Sequence, residues 1–216
     1  MRVTSLGGSS YVMIIVHDYS RFQAVKFIKK KSDATAALQS YIAEYITPKG
    51  LKIGAIRTDS GGEFDGDFHL KLDENGISHE LTPPDTPQYK GVAERRLGLL
   101  REKTIALMQD QTGGGSEKLW VEAMNYACDI INMSCTLSIE GNVFLYEQWY
   151  GNTAPLEHLQ PVGTVGYMRK IITEDKMAPR GEKCIMLCIF HNHPSGTVCV
   201  LNVKTGQIVK RQNVSW

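Results

Sequence analysis

Residues Tyr11 to Val16 (YVMIIV) run without a polar position, and Arg21 to Ile28 (RFQAVKFI) alternates, so the two predict the strands of an antiparallel hairpin turning through His17-Asp18-Tyr19-Ser20. Ser32 offers an N-cap, with Asp33 in the first turn, to a helix whose apolar positions are Ala36, Leu38, Tyr41, Ile42, Tyr45 and Ile46, ending before Pro48. A strand from Lys52 to Thr58 follows, then a short helix around Phe64 to Glu74 that closes at Gly76, then a strand from Ile77 to Leu81. Pro83, Pro84 and Pro87 predict a loop that lasts until Gly91. The helix beyond it is expected to reach Gln109, with Ala93, Leu97, Leu100, Thr104, Leu107 and Met108 as its apolar stripe and Glu94 and Arg101 on a neighbouring face. After Gly113-Gly114-Gly115 a second long helix buries Leu119, Trp120, Ala123, Met124, Ala127, Ile130 and Ile131. From Val162 onward the pattern changes to short strands, with turns at Ser195-Gly196 and Thr205-Gly206.

This order predicts an α/β core over residues 1–135, a connecting helical segment over 136–161 and a small β-rich extension over 162–216. The 42% hydrophobic and 22% charged content is that of an ordinary globular chain, and no apolar run approaches a membrane span. No secretory signal pattern opens the sequence, so an intracellular setting is expected. The five cysteines are odd in number and widely spaced, which favours buried thiols over a disulfide framework. A net charge of +1 gives no global pull on nucleic acid, so DNA would have to be met by local basic groups.

The residues that can carry chemistry are acidic. Asp59 falls just past the end of a predicted strand, where open α/β sheets place their ligands. Glu94 lies in the first turn of the following long helix, after a loop that can fold back over that strand end. Carboxylates converging from separate elements suit Mg²⁺, and two such ions can clamp the attacking and leaving oxygens of phosphoryl transfer. An isolated acid is more often a solvated surface group, so spacing alone does not decide.

The wording around this pair does more. The strings Ile56 to Phe64 (IRTDSGGEF) and Thr86 to Arg95 (TPQYKGVAER) resemble the integrase core of copia-type retrotransposons. Asp18 to Phe22, Lys30 to Ala34, Leu119 to Ala123, Tyr146 to Gly151 and Pro179 to Cys184 extend the likeness over nearly the whole chain. The resemblance implies an RNase H-like mixed sheet flanked by helices. It implies a polynucleotidyl transferase that joins element DNA ends to target DNA, using two Mg²⁺ or Mn²⁺ ions held by two Asp and one Glu. Asp59 matches the second Asp and Glu94 the Glu. Gln88, Tyr89 and Lys90 would lie against the donor DNA end, with Arg95 and Arg101 at its phosphates. DNA and further copies of the chain are the implied partners, no membrane is, and the nucleus or a cytoplasmic retrotransposon particle is the implied setting.

There are departures from the family pattern. The first Asp and its strand would lie ahead of Met1, so activity of this chain alone is in doubt, and a non-catalytic nucleic-acid-binding or assembly module is the alternative. Asp18 matches the family's hairpin acid and not the catalytic one. Lys90, Leu145 and Cys188-Ile189 stand where Asn, Pro and Gly-Tyr are usual. Cys184, Cys188, His191 and His193 are close in sequence, but their spacing fits no common zinc pattern, and the two cysteines read as same-face residues of a buried strand. The Lys29-Lys30-Lys31 run and Arg96 complete the basic candidates, with the lysine run read as a solvated surface.

Overall fold

The computed structural model describes residues 2–82, 87–109, 116–135, 143–170, 180–190 and 196–216, without the side chains of residues 87–90 and 158. The chain divides into two compact units, Met1–Leu99 and Leu100–Trp216.

In the first unit, β1 (Tyr11–Val16) and β2 (Gln23–Ile28) pair antiparallel, with Tyr11 opposite Ile28 and Val16 opposite Gln23. The polar turn between them is held by its own side chains. His17 Nδ1 and Ser20 Oγ are 2.8 Å apart, and the Phe22 N–H donates to Ser20 Oγ at 3.2 Å. These bonds hold Arg21 in the left-handed region at φ 56°, a conformation uncommon for a non-glycine residue.

A 3₁₀ turn, Lys31–Asp33, leads into α1 (Ala34–Tyr41), which continues through a π turn, Ile42–Ile46, and a second 3₁₀ turn, Thr47–Lys49. Ser32 is therefore not the cap: it lies inside the 3₁₀ turn, and Asp33 Oδ2 accepts from the Lys30 N–H at 2.9 Å instead. Ala34, Ala37, Leu38 and Tyr41 are buried, and α1 lies against β2 and α2 (Asp67–Glu74). β3 (Ala55–Thr58) and β4 (Ser78–Leu81) pair in parallel on either side of α2, as the βαβ connection requires. Phe68 and Leu72 of α2 are fully buried, and the helix stops at Gly76, whose φ of 65° suits only glycine without strain.

Among the described residues no strand joins the β1–β2 pair to the β3–β4 pair. The resemblance predicts a mixed sheet without its first core strand, and the sheet of this unit stands in two pieces.

The long helix α3 (Pro87–Gln109) runs across the division between the units. It begins four residues earlier than Gly91, because proline is well suited to a first helical position, where its missing N–H and fixed φ cost nothing. Its buried stripe is also narrower than expected. Arg96, Leu100 and Thr104, each four residues apart, are buried, whereas Ala93 is exposed.

In the second unit, α4 (Trp120–Asn132) and α5 (Leu145–Tyr150) precede five strands: β5 (Val165–Arg169), β6 (Gly181–Ile189), β7 (Val198–Asn202), β8 (Ile208–Arg211) and β9 (Val214–Ser215). They form one antiparallel sheet in the order β8-β7-β6-β5-β9. Leu119 and Tyr126 join Met168, Met186, Leu187 and Val200 in its core, and α4 packs on β6. Cys128, Cys184, Cys188 and Cys199 are buried thiols, while Cys135 is exposed. Among the described residues no helix is long and apolar enough to cross a membrane.

Candidate functional site

The site begins where β3 ends. Asp59 follows Thr58 directly and is exposed, and its Oδ1 accepts from the Gly61 N–H at 3.2 Å, a short loop that turns the chain back toward Glu63. Gly61 has φ −71° and ψ 134°, which any residue adopts, so its smallness matters for space. A Cβ there would lie 3.1 Å from Asp59 Oδ1 and 2.8 Å from Glu63 Oε2. The two carboxylates thus flank one small volume.

Lys31 reaches the same place from the turn before α1, with Nζ 3.0 Å from Glu63 Oε1 and 3.3 Å from Oε2. Glu63's own backbone N–H first, and then Lys31, hold its carboxyl below the usual range. The hydrogen bond to Glu63 pushes Lys31 up, with smaller contributions from Tyr11 and Asp59. Tyr11 opens β1 opposite Ile28, at the end of the hairpin from which the chain runs on to Lys31. Asp18 lies at the opposite end of β1, ion-paired to Arg21.

Glu94 is exposed in the second turn of α3, not the first, since the helix starts at Pro87. Gln88, Tyr89 and Lys90 belong to the first turn and not to a preceding loop; their side chains lie outside the described residues. Arg95 and Arg101 are exposed, and Arg95 Nε donates to the Gly91 carbonyl at 2.7 Å. Arg96 is buried, and desolvation followed by the charge of Arg21 lowers its pKa, so it is not open to a phosphate as the neighbouring arginines are.

For the sulfur-rich segment, His191 and His193 lie outside the described residues. Cys184 and Cys188 are buried in β6, where the register shifts between Met186 and Cys188 and places Cys188 opposite Cys199. Among the described residues no three His, Cys, Asp or Glu side chains gather to hold one metal ion.

Glu63 and Lys31 escaped the sequence reading. Glu63 stands inside the IRTDSGGEF string with no spacing that marks it, and Lys31 stands inside a lysine run of the kind that is usually solvated. The donors available around Asp59 are carboxylate oxygens, which fit Mg²⁺ or Mn²⁺ and not a soft metal.

The fold of this chain is similar to that of retroviral integrase catalytic cores. The HTLV-2 integrase catalytic core domain in complex with magnesium superposes with a TM-score of 0.50 at 19% identity, over 64% of this chain and 83% of that one. The catalytic core domain of BIV integrase gives a TM-score of 0.51 at 18% identity, over 65% and 85%. A chain of the simian T-cell lymphotropic virus intasome in complex with PP2A regulatory subunit B56 gamma gives 0.53 at 18%, over 94% and 71%.

At these identities the likeness fixes the fold, which is RNase H-like. In sequence, the chain is similar to the retrovirus-related Pol polyprotein from transposon TNT 1-94 of Nicotiana tabacum, 28% identical over 191 residues that are 88% of this chain. It is also similar to the Pol polyprotein from transposon RE2 of Arabidopsis thaliana, 23% identical over 219 residues and 99% of this chain. The chain spans 14% of the length of each of these polyproteins. No family model matches it. The resemblance to a copia-type integrase core is thus upheld by fold and by sequence together.

Proposed function

We propose that this chain is the catalytic core and following region of a retrotransposon integrase, whose reaction joins element DNA ends to target DNA. The observation that carries the reading is Asp59, an exposed carboxylate at the end of β3, in a chain similar to transposon Pol polyproteins. Asp59 and Glu94 would hold the divalent ions. When bound, such ions supply activation of the attacking hydroxyl and stabilisation of charge on the transferred phosphoryl group. The chain's own part is to fix Asp59 through the Gly61 N–H, and to hold Glu63 to Lys31 so that one acid of the loop stays neutralised. Arg95 and Arg101 would meet phosphates, as would Gln88, Tyr89 and Lys90 at the start of α3, mainly through salt-sensitive charge. The magnesium bound by the HTLV-2 core supports the choice of ion, and the trimeric and intasome forms of the neighbours support DNA and further copies of the chain as partners. The setting would be a nucleus or a retrotransposon particle.

The test is strand transfer with labelled element-end oligonucleotides and Mg²⁺ or Mn²⁺. Two ligands leave a two-ion site short of anionic oxygens, so the chain alone is expected to be inactive, and an added upstream strand bearing an Asp is expected to restore joining. In that restored protein Asp59→Asn or Glu94→Gln should each lower the rate by more than about 100-fold, since outer-shell metal contacts alone are worth about 10–100-fold. Joining by the unextended chain that is lost on Asp18→Asn would instead assign Asp18 the missing role.

A further inference from the structure

The integrase reading makes no use of the two imidazoles that meet between α2 and β4. His69 Nδ1 and His79 Nδ1 are 3.1 Å apart. The other nitrogen of His79 is 2.8 Å from Thr58 Oγ1, within hydrogen-bond distance, and that of His69 lies 3.5 Å from Asp73 Oδ2.

We propose that His69 and His79 form a binding site for one transition-metal ion of the Zn²⁺ class, bound through both Nδ1 atoms. Metal-ligating histidines characteristically donate their remaining N–H to a carboxylate or other acceptor, which fixes tautomer and ring direction, and Asp73 and Thr58 occupy those positions. Two nitrogens each about 2.0–2.1 Å from a zinc ion sit roughly 3.3 Å apart in a tetrahedral arrangement. The observed separation is close to that before any adjustment. The His69 side chain is 53% exposed, which leaves room for water to complete the coordination. Burial first, and then the neighbouring His69, lower the His79 pKa against the opposing charges of Asp65 and Asp73, which favours the neutral imidazole that a metal ion needs. Imidazole donors distinguish this site from the carboxylates at Asp59, which suit a harder ion.

Without metal the Thr58 hydroxyl donates to His79 Nε2 and the His79 Nδ1–H donates to His69 Nδ1, with His69 Nε2 left 3.5 Å from the Asp73 carboxylate. Binding through both Nδ1 atoms moves the His79 proton from Nδ1 to Nε2, where Thr58 Oγ1 accepts it. No proton is gained or lost overall, and the change of tautomer is a readable signature.

The experiment is a Zn²⁺ titration of the ¹⁵N-labelled chain, following the imidazole nitrogens of both histidines. The expected result is saturation at one ion, with both Nδ1 resonances shifting together and His79 becoming Nε2-protonated. His69→Gln alters an exposed side chain and should leave the fold intact while weakening the affinity at least about tenfold; Asp73→Asn should weaken it less. Because His79 lies against Phe68 and Thr58, His79→Gln is the secondary variant, used only if its spectrum shows a folded protein. Nδ1 resonances unmoved by a tenfold excess of Zn²⁺, a response from one histidine alone, or an affinity unchanged by His69→Gln would overturn the proposal. None of these outcomes depends on DNA joining, so the site stands or falls apart from the integrase reading.

Discussion

At the residue scale, acids of one charge do different work according to what surrounds them. Asp59 could be picked out from its place after a strand, but Glu63 could not, because the contact that distinguishes it comes from Lys31, far away in sequence. Glu122, in the Leu119-Trp120-Val121-Glu122-Ala123 string, is a third case that no pattern marks. Its Oε2 is buried without a hydrogen-bond partner among the described residues, and desolvation raises its pKa, opposed by its own backbone N–H. A carboxyl whose folded pKa is raised favours the folded state while protonated. That contribution is complete below the ordinary value of 4.5 and is lost as pH rises through the folded value. Glu122→Gln removes the charge and keeps the shape, so it should stabilise the protein at pH 7, by on the order of 1 kcal/mol, with the gain vanishing below about pH 4.5. Urea unfolding of both proteins at several pH values measures this. A variant less stable than the parent at pH 7 would mean that Glu122 has a stabilising partner when charged.

Elements were legible where one period ran unbroken. β1, β2, α2 and α4 fall close to their expected positions, because an apolar run or an i, i+3, i+4 stripe carries enough buried area to override local preference. The start of α3 lies before its expected position because a proline can open a helix as well as prevent one. Pattern alone also cannot say which sheet an apolar helix face covers, and the structure lays α4 on β6. The edge of the second sheet depends on a glycine for a reason that no sequence pattern carries. A Cβ on Gly166 of β5 would come within 2.7 Å of Trp216 Cε3, 2.9 Å of Val214 Cγ1 and 3.0 Å of the Ser215 carbonyl oxygen. The backbone oxygen cannot move without the strand, so Gly166→Ala should push β9 off β5 and cost about 1–3 kcal/mol. Amide exchange should quicken at Met168 and Val214, which pair in this ladder, while the β6–β7 ladder stays protected. Unchanged protection at both positions would show that β9 accommodates the methyl group.

On the scale of the whole molecule, the described residues of the first unit form two separate two-stranded sheets where the RNase H-like fold has one. Such small sheets are marginal alone. The bond from the His17 N–H to the Phe22 carbonyl fixes the alternation along β1, so that Tyr11, Met13 and Ile15 bond across to β2. Val12, Ile14 and Val16 then turn their backbone groups to the other edge, where no strand of the described residues pairs with them. All six residues of β1 are apolar and none is buried, which is the composition of a strand meant to have neighbours on both sides. The residues before it do not fill this role: Ser5 to Ser9 form a turn, with the Ser9 N–H donating to Ser5 Oγ at 2.9 Å. Adding one apolar strand ahead of Arg2 should therefore raise Tm by several degrees, since ~1 kcal/mol moves a protein of this size by about 2–4 °C, and should reduce self-association at low micromolar concentration. Proline at two adjacent positions locates the effect. Ile14→Pro removes an N–H from the outer edge, so it should spare the β1–β2 ladder of the unextended chain yet abolish most of the gain from the added strand. Ile15→Pro removes an N–H that faces β2 and should destabilise both proteins. Scanning calorimetry with sedimentation velocity on the six proteins separates these outcomes. Cooperative, reversible and monomeric unfolding at the same temperature with and without the extension would mean that the edge of β1 has no need of a partner.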